Sequence, residues 1–180
     1  MKKLLLIVGT MIMTVLPAGA PIAAHASGDN AAVAINTKDG KTVWRISFKV
    51  TKTDSQVVNN VNVAFAYSSC TDCSTYAIAF DVVIDTNNPN VVTPTNLAVA
   101  LNYLCTDCTT YADATQVVLT TGTPLKFTPQ GHRDLADIRH DLNALKHQDL
   151  TLDELNAQVR ALAARLNWVV AYELVPTDNG

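Results

Sequence analysis

Two eight-residue stretches hold the residues best suited to chemistry: "CTDCSTYA" at 70–77 and "CTDCTTYA" at 105–112. Each carries a Cys-x-x-Cys pair, and together Cys70, Cys73, Cys105 and Cys108 are all the cysteines of the chain. Thiols at this spacing support three chemistries. They oxidise to disulfides in an oxidising compartment. Four thiolates form a tetrahedral zinc site. A single activated pair at a helix N-terminus exchanges disulfides. Exchange chemistry normally sits in a strand-helix-strand setting that neither copy has, and the Asp inside each motif opposes thiolate formation. Zinc must compete with oxidation outside a cytoplasm, and neither motif contains the Gly or Pro common in zinc knuckles. Disulfides are therefore the leading expectation, with a four-cysteine zinc site second and a thiol-disulfide oxidoreductase third. No other cofactor is expected.

Four cysteines allow three connectivities. Bonds between copies would close loops of about 35 residues and stabilise by about 4 kcal/mol in the chain-entropy model, against about 2 kcal/mol for bonds inside each motif. Proximity instead favours Cys70 with Cys73 and Cys105 with Cys108. Local pairing is the choice taken, because each copy then matures as a unit.

The expected compartment follows from the N-terminus. Lys2 and Lys3 precede an apolar run from Leu4 to Leu16, and Ala24-His25-Ala26 supplies small residues before Ser27. Residues 1–26 thus read as a secretory signal peptide cleaved near Ala26, with Ala20 as the alternative. The run is too short to span a bilayer comfortably. The whole chain carries a net charge of −3 at pH 7, and the leader takes away only positive charge. There is no basic stripe for nucleic acid, and the polar tail offers no membrane anchor once the leader is removed. A secreted or extracytoplasmic protein is expected, with an unknown protein partner at the cell surface.

The elements that must position the cysteines show two periodicities. Val33, Ile35 and the run Trp44, Ile46, Phe48, Val50 alternate with small or polar residues on either side of Asp39-Gly40, which predicts a β-hairpin. Laying Cys70 on Cys105, an offset of 35, matches nine neighbouring residues, so 61–84 and 96–119 read as one unit used twice. Folding the first copy back at Thr71-Asp72 sets Tyr67 opposite Tyr76, Phe65 opposite Ile78 and Val63 opposite Phe80, with Ala66 opposite Ala77 and Ala64 opposite Ala79. That mirror predicts a hairpin with CTDC at its tip. In the second copy the mirror fits only after a one-residue slip. The rival is a helix, since Cys70, Cys73, Ala77, Phe80 and Ile84 also follow a three-four spacing.

Beyond "TTGTPLKFTPQG" the period becomes helical. Thr128-Pro129 reads as a cap with Pro at the first helical position, followed by the stripe Leu135, Ile138, Leu142, Leu145. Thr151 and Glu154 have capping-box spacing, followed by Leu155, Val159, Leu162, Leu166 and Val169. The expected fold is α+β. A β-rich domain over 27–125 is built of antiparallel hairpins with two pseudo-repeated CTDC units, and an antiparallel helical hairpin over 128–175 follows it.

Other polar groups read as surface. Asp137, His140, Asp141 and His147, with His132, fit a solvated helix face better than a ligand set. Asp72 and Asp107 suit turn chemistry. Ser68 and Ser69 have no base spaced to activate them, and Trp44 and Trp168 read as packing anchors. No phosphate loop, dinucleotide fingerprint or HExxH motif is present.

The stretches "INTKDGKTVWRISFKV", "AFAYSSCTDCSTYAIAFDVVI", "NVVTPTNLAVALNYLCTDCTTYADATQVVLTTG" and "FTPQGHRDLADIRHDLNAL" resemble a bacterial family of exported proteins, some of whose members carry the label of peptide zinc metalloprotease proteins. The resemblance covers essentially the whole mature chain, and NTKDG and YSSCTDC are its most specific pieces. It implies a shared fold with paired cysteines and a helical tail, without implying proteolysis. The function expected is a disulfide-stabilised, non-enzymatic structural or interaction domain. The alternative is an accessory domain of a peptide zinc metalloprotease system or a four-cysteine zinc-binding protein.

Overall fold

The segment Asn-Ala-Ala-Val-Ala-Ile-Asn at 30–36 buries every second side chain, Asn30, Ala32, Ala34 and Asn36, while Ala31, Val33 and Ile35 face solvent. In the computed structural model, which describes residues 28–177, this strand is β1 (Asn30–Asn36); the alternation recurs in sequence at β4 (Val61–Ser68) and β7 (Thr95–Asn102), with the inward residues buried in β4 and both faces largely exposed in β7, at the end of the stack. A longer strand follows each: β2 (Thr42–Thr53), β5 (Ser74–Asp85) and β8 (Thr109–Thr120). The signal peptide expected over 1–26 lies outside the described residues.

The short strands pair only with one another, all parallel, in the order β1-β4-β7. The long strands form a second parallel sheet, β2-β5-β8. The chain thus winds through three coils, each crossing from the first sheet to the second through a turn, and the first two return through a connector. Two short connector strands, β3 (Val57–Val58) and β6 (Val91–Val92), also pair in parallel.

This corrects the expected antiparallel hairpins. The strands flanking Asp39-Gly40 and those flanking each CTDC belong to different sheets and share no ladder. The physical reason is that period-two alternation describes a strand with one face in and one out, whichever neighbour it pairs with. Ala64 and Ala66 do meet Ala77 and Ala79, but across the gap between two sheets, where with Ala32 and Ala34 they form a small-residue core. Tyr67 and Tyr76, which the mirror had paired, belong to separate sheets. The helical alternative for the CTDC flanks is likewise replaced by strands.

Large side chains of the second sheet supply the main core. Ile78, Phe80, Val82 and Ile84 of β5 are fully buried against α1 (Pro129–Ala144) and α2 (Leu152–Tyr172). Each helix contributes its apolar stripe: Leu135, Ile138 and Leu142 from α1, and Leu155, Val159, Leu162, Leu166 and Val169 from α2. Both helices start on capping threonines. The Thr128 hydroxyl accepts from the Gly131 amide at 2.9 Å, and Thr151 and Glu154 form a reciprocal capping box. A 3-10 turn over Leu145–His147 reverses the chain between them. β9 (Leu125–Phe127) before α1 and β10 (Leu174–Pro176) after α2 pair antiparallel and close the base of the two helices. Gly131 lets α1 start against Glu173, since a Cβ there would lie 2.8 Å from the Glu173 Cβ.

Candidate functional site: two stacked disulfide turns

Three turns join the first sheet to the second, and the parallel register lays one on the next. Residues 36–42, 68–74 and 102–109 occupy the same place in successive coils. Backbone bonds tie them together: Gly40 N donates to Thr71 O at 2.9 Å, Asp72 N to Thr106 O at 2.9 Å, and Thr106 N to Cys70 O at 3.2 Å. The Asp39 carboxylate accepts from the Thr71 amide at 2.8 Å.

The turn needs one residue in the left-handed region. Gly40, Asp72 and Asp107 fill that position with φ of 64°, 53° and 53°. Gly adopts it without steric penalty, and Asp is among the side chains that tolerate it best. Asp72 and Asp107 are therefore fixed by backbone geometry. The third turn is one residue longer, which accounts for the slip seen in the sequence. The strand offset is 34 residues before it, from Val61 to Thr95, and 35 after it, from Ser74 to Thr109. Leu104, exposed and at φ 48°, bulges out to absorb the extra residue.

Cys70 bonds Cys73, and Cys105 bonds Cys108, with Cα separations of 6.1 and 5.9 Å. Both separations lie in the ordinary disulfide range. The domain is therefore cross-linked inside each turn. Cys70 and Cys73 are buried, whereas Cys105 and Cys108 on the end coil are half-buried. Stacking brings the two bonds into contact: Cys73 Sγ and Cys108 Sγ are 3.3 Å apart, and one ligand atom from each of the four cysteines fits within 4.8 Å of the others. Among the described residues this is the one cluster of three or more metal-ligating side chains.

The remaining sequence candidates do not converge. Asp141 pairs with Arg165 at 2.6 Å, His132 packs its ring edge on Phe127, and Asp137, His140 and His147 form no ligand group. Ser68, fully buried, shares hydroxyl hydrogen bonds of 2.7 Å with Thr75 and Thr110 and so spaces the layers. Trp44 stacks on Tyr76 at 4.0 Å between adjacent coils, and half-exposed Trp168 rests on Tyr172.

An asparagine ladder escaped the sequence reading. Asn30 Nδ2 donates to Asn62 Oδ1 and Asn62 Nδ2 to Asn96 Oδ1, each at 2.9 Å. Asn62 also donates to Ala79 O and Thr115 O, both at 3.1 Å, and so ties the two sheets together. Its signal was Asn-x-Ala-x-Ala-x-Asn/Ser at 30–36, 62–68 and 96–102. Deeper in the gap, fully buried Asp81 accepts from Gln116 at 3.1 Å. Burial pushes its carboxyl up to about 6, against weaker opposing pulls from Gln116 and Lys49.

The outer faces of the two sheets differ. Helices cover the second, whereas the first presents the rows Ala31/Val63/Leu97, Val33/Phe65/Val99 and Ile35/Tyr67/Leu101, none of them charged. Val33, Ile35, Leu97 and Leu101 are 46–58% exposed, enough to mark an uncovered apolar surface of the kind associated with contacts. No helix among the described residues is long and apolar enough to cross a membrane. Comparison of the chain with protein-family models, with curated proteins and with solved structures found no match.

Proposed function

We propose that this chain is an exported, disulfide-locked structural or interaction domain that carries out no catalysis. The observation that carries the reading is the stacking of the two disulfide turns. Each bond is spent on holding one coil's turn, in an environment built from backbone ladders and exposed turn carboxylates. Disulfides suit an oxidising space outside the cytoplasm, in keeping with a leader cleaved near Ala26. The uncharged, uncovered face of β1-β4-β7 supports a protein partner at the cell surface.

The experiment is thermal unfolding of the purified protein with and without a dithiol reductant, with the intact mass recorded in each state. A scaffold role expects a mass lacking four thiol hydrogens without reductant, and a melting temperature that falls on reduction. An unchanged melting temperature would remove the locking role.

A second reading is favoured by the convergence of the four sulfurs: a four-cysteine zinc protein, or an accessory domain of a peptide zinc metalloprotease system. Zinc analysis of protein purified without chelator, followed by a peptide-turnover assay, separates the two. Bound zinc with free thiols would favour the second reading.

A further inference from the structure

We propose that the sulfur cluster is a single redox-gated site, a pair of disulfides when oxidised and a tetrathiolate site for one zinc-class divalent cation when reduced. This deepens the disulfide reading and rests on the same stacking. Zinc–sulfur bonds of about 2.3 Å place the sulfurs of a tetrahedron about 3.8 Å apart. Here the contact between copies is 3.3 Å, and a set of one sulfur from each cysteine spans no more than 4.8 Å. Small side-chain rotations would bring the sulfurs to the required edge once the covalent bonds are gone.

Bonds other than the disulfides also set these distances. Thr106 N to Cys70 O, Thr109 N to Cys73 O and Asp72 N to Thr106 O are backbone bonds between coils, continuous with the ladder of β5 and β8. Cutting both sulfur bonds leaves these backbone ties between the two turns. Neither pair alone supplies four ligands, so the site exists only because the copies stack.

The neighbouring charges are of both signs. With an offset of 32 residues on both sides of the turn, Lys38 and Lys41 of the first coil stand at the positions that Cys70 and Cys73 hold in the second. Ser74 N bonds Lys41 O at 3.0 Å, which fixes that alignment. A tetrathiolate around a divalent cation carries two negative charges, and two lysines on the neighbouring coil would offset part of them. Asp39, Asp72 and Asp107 occupy the intervening turn positions and oppose this in part.

The chemistry balances with a dithiol as co-reactant. Two dithiol molecules each give two electrons and two protons to one protein disulfide and become disulfides themselves, leaving four protein thiols. The cation then binds as the four thiols lose four protons to solvent.

The test uses Co2+ on the full protein, reduced anaerobically and freed of reductant. One Co2+ per chain is expected, with the strong visible absorption of a tetrahedral tetrathiolate, displaced by Zn2+. Cys105→Ser/Cys108→Ser, which keeps one pair intact, is expected to lose that spectrum, whereas Asp137→Asn/His140→Ala is expected to keep it. No visible absorption from the unaltered protein would overturn the proposal, as would an unchanged spectrum with a single pair. Should reduction abolish the far-ultraviolet sheet signal, equimolar Zn2+ is expected to restore it, and failure to do so would also overturn the proposal. The intact mass of unreduced protein tests the disulfide reading by itself, so its failure is distinguishable from failure of the metal site.

Discussion

Cys73 and Cys108 belong to different disulfides, yet their sulfur atoms lie 3.3 Å apart. A thiolate at either position therefore faces the bond of the other copy. In Cys105→Ser, Cys108 loses its partner. Its thiolate is expected to attack Cys73 Sγ, form the Cys73–Cys108 bond and expel Cys70 as a thiolate, with no net oxidation. Alkylation followed by mass spectrometry is expected to find one label per molecule, on Cys70 in the exchanged fraction and on Cys108 in the remainder. Label confined to Cys108 would show that the two bonds do not meet.

Asn62 joins three coils and two sheets through four hydrogen bonds. It is fully buried, so truncation strands several polar groups away from water. Asn62→Ala is expected to cost about 3 kcal/mol in urea unfolding, at the upper end for loss of a buried polar partner. Asn87→Ala, whose side chain makes one exposed bond to Asp54 O, is expected to cost less than about 1 kcal/mol. Equal costs would contradict the ladder's central role.

The left-handed turn position gives a third expectation. Asp72→Gly should leave stability nearly unchanged, because Gly40 already fills the equivalent place. Asp72→Val should cost about 1–2 kcal/mol, because a β-branched side chain is tolerated at positive φ far worse than the short polar Asp it replaces. The measurement is the urea midpoint of each variant. A harmless valine would mean that the turn does not hold this conformation.

The pH dependence follows from Asp81, whose folded carboxyl is pushed up to about 6 from 3.8, chiefly because burial penalises its charged form. A raised acid favours the folded state while it is protonated. Its contribution is fully present below about pH 4 and is lost as pH rises through about 6. Asp81→Asn should therefore be more stable than the unaltered protein at pH 7.5, by about 1–3 kcal/mol, and the gap should shrink at pH 4. Urea unfolding at both values checks this. A variant less stable at pH 7.5 would reverse the sign.

The helical tail was legible because its signals are local: Thr128-Pro129, Thr151 with Glu154, and leucines at three-four spacing are each read within a few residues. The strands were legible too, but their pairing was not. Ala64 and Ala66 fall opposite Ala79 and Ala77 whether the chain folds into one ribbon or crosses between two layers, and the choice rests on contacts more than 30 residues away. Aligning the copies on cysteine also hid the first coil, in which Lys38 and Lys41 stand in the cysteine columns. The three asparagines 30, 62 and 96 carried the missing period. Pairing inside each CTDC motif was within reach from proximity alone. The contact between motifs was not, because it follows from the parallel register.

The most direct measurement is peptide mapping of the unreduced protein after cleavage between the two turns, for example after Phe80 and Leu97. Two separate peptides are expected, one with Cys70 joined to Cys73 and the other with Cys105 joined to Cys108, each short of its two thiol hydrogens. A single covalent product carrying residues from both turns, or four unmodified thiols, would contradict locking of each coil by its own sulfur pair.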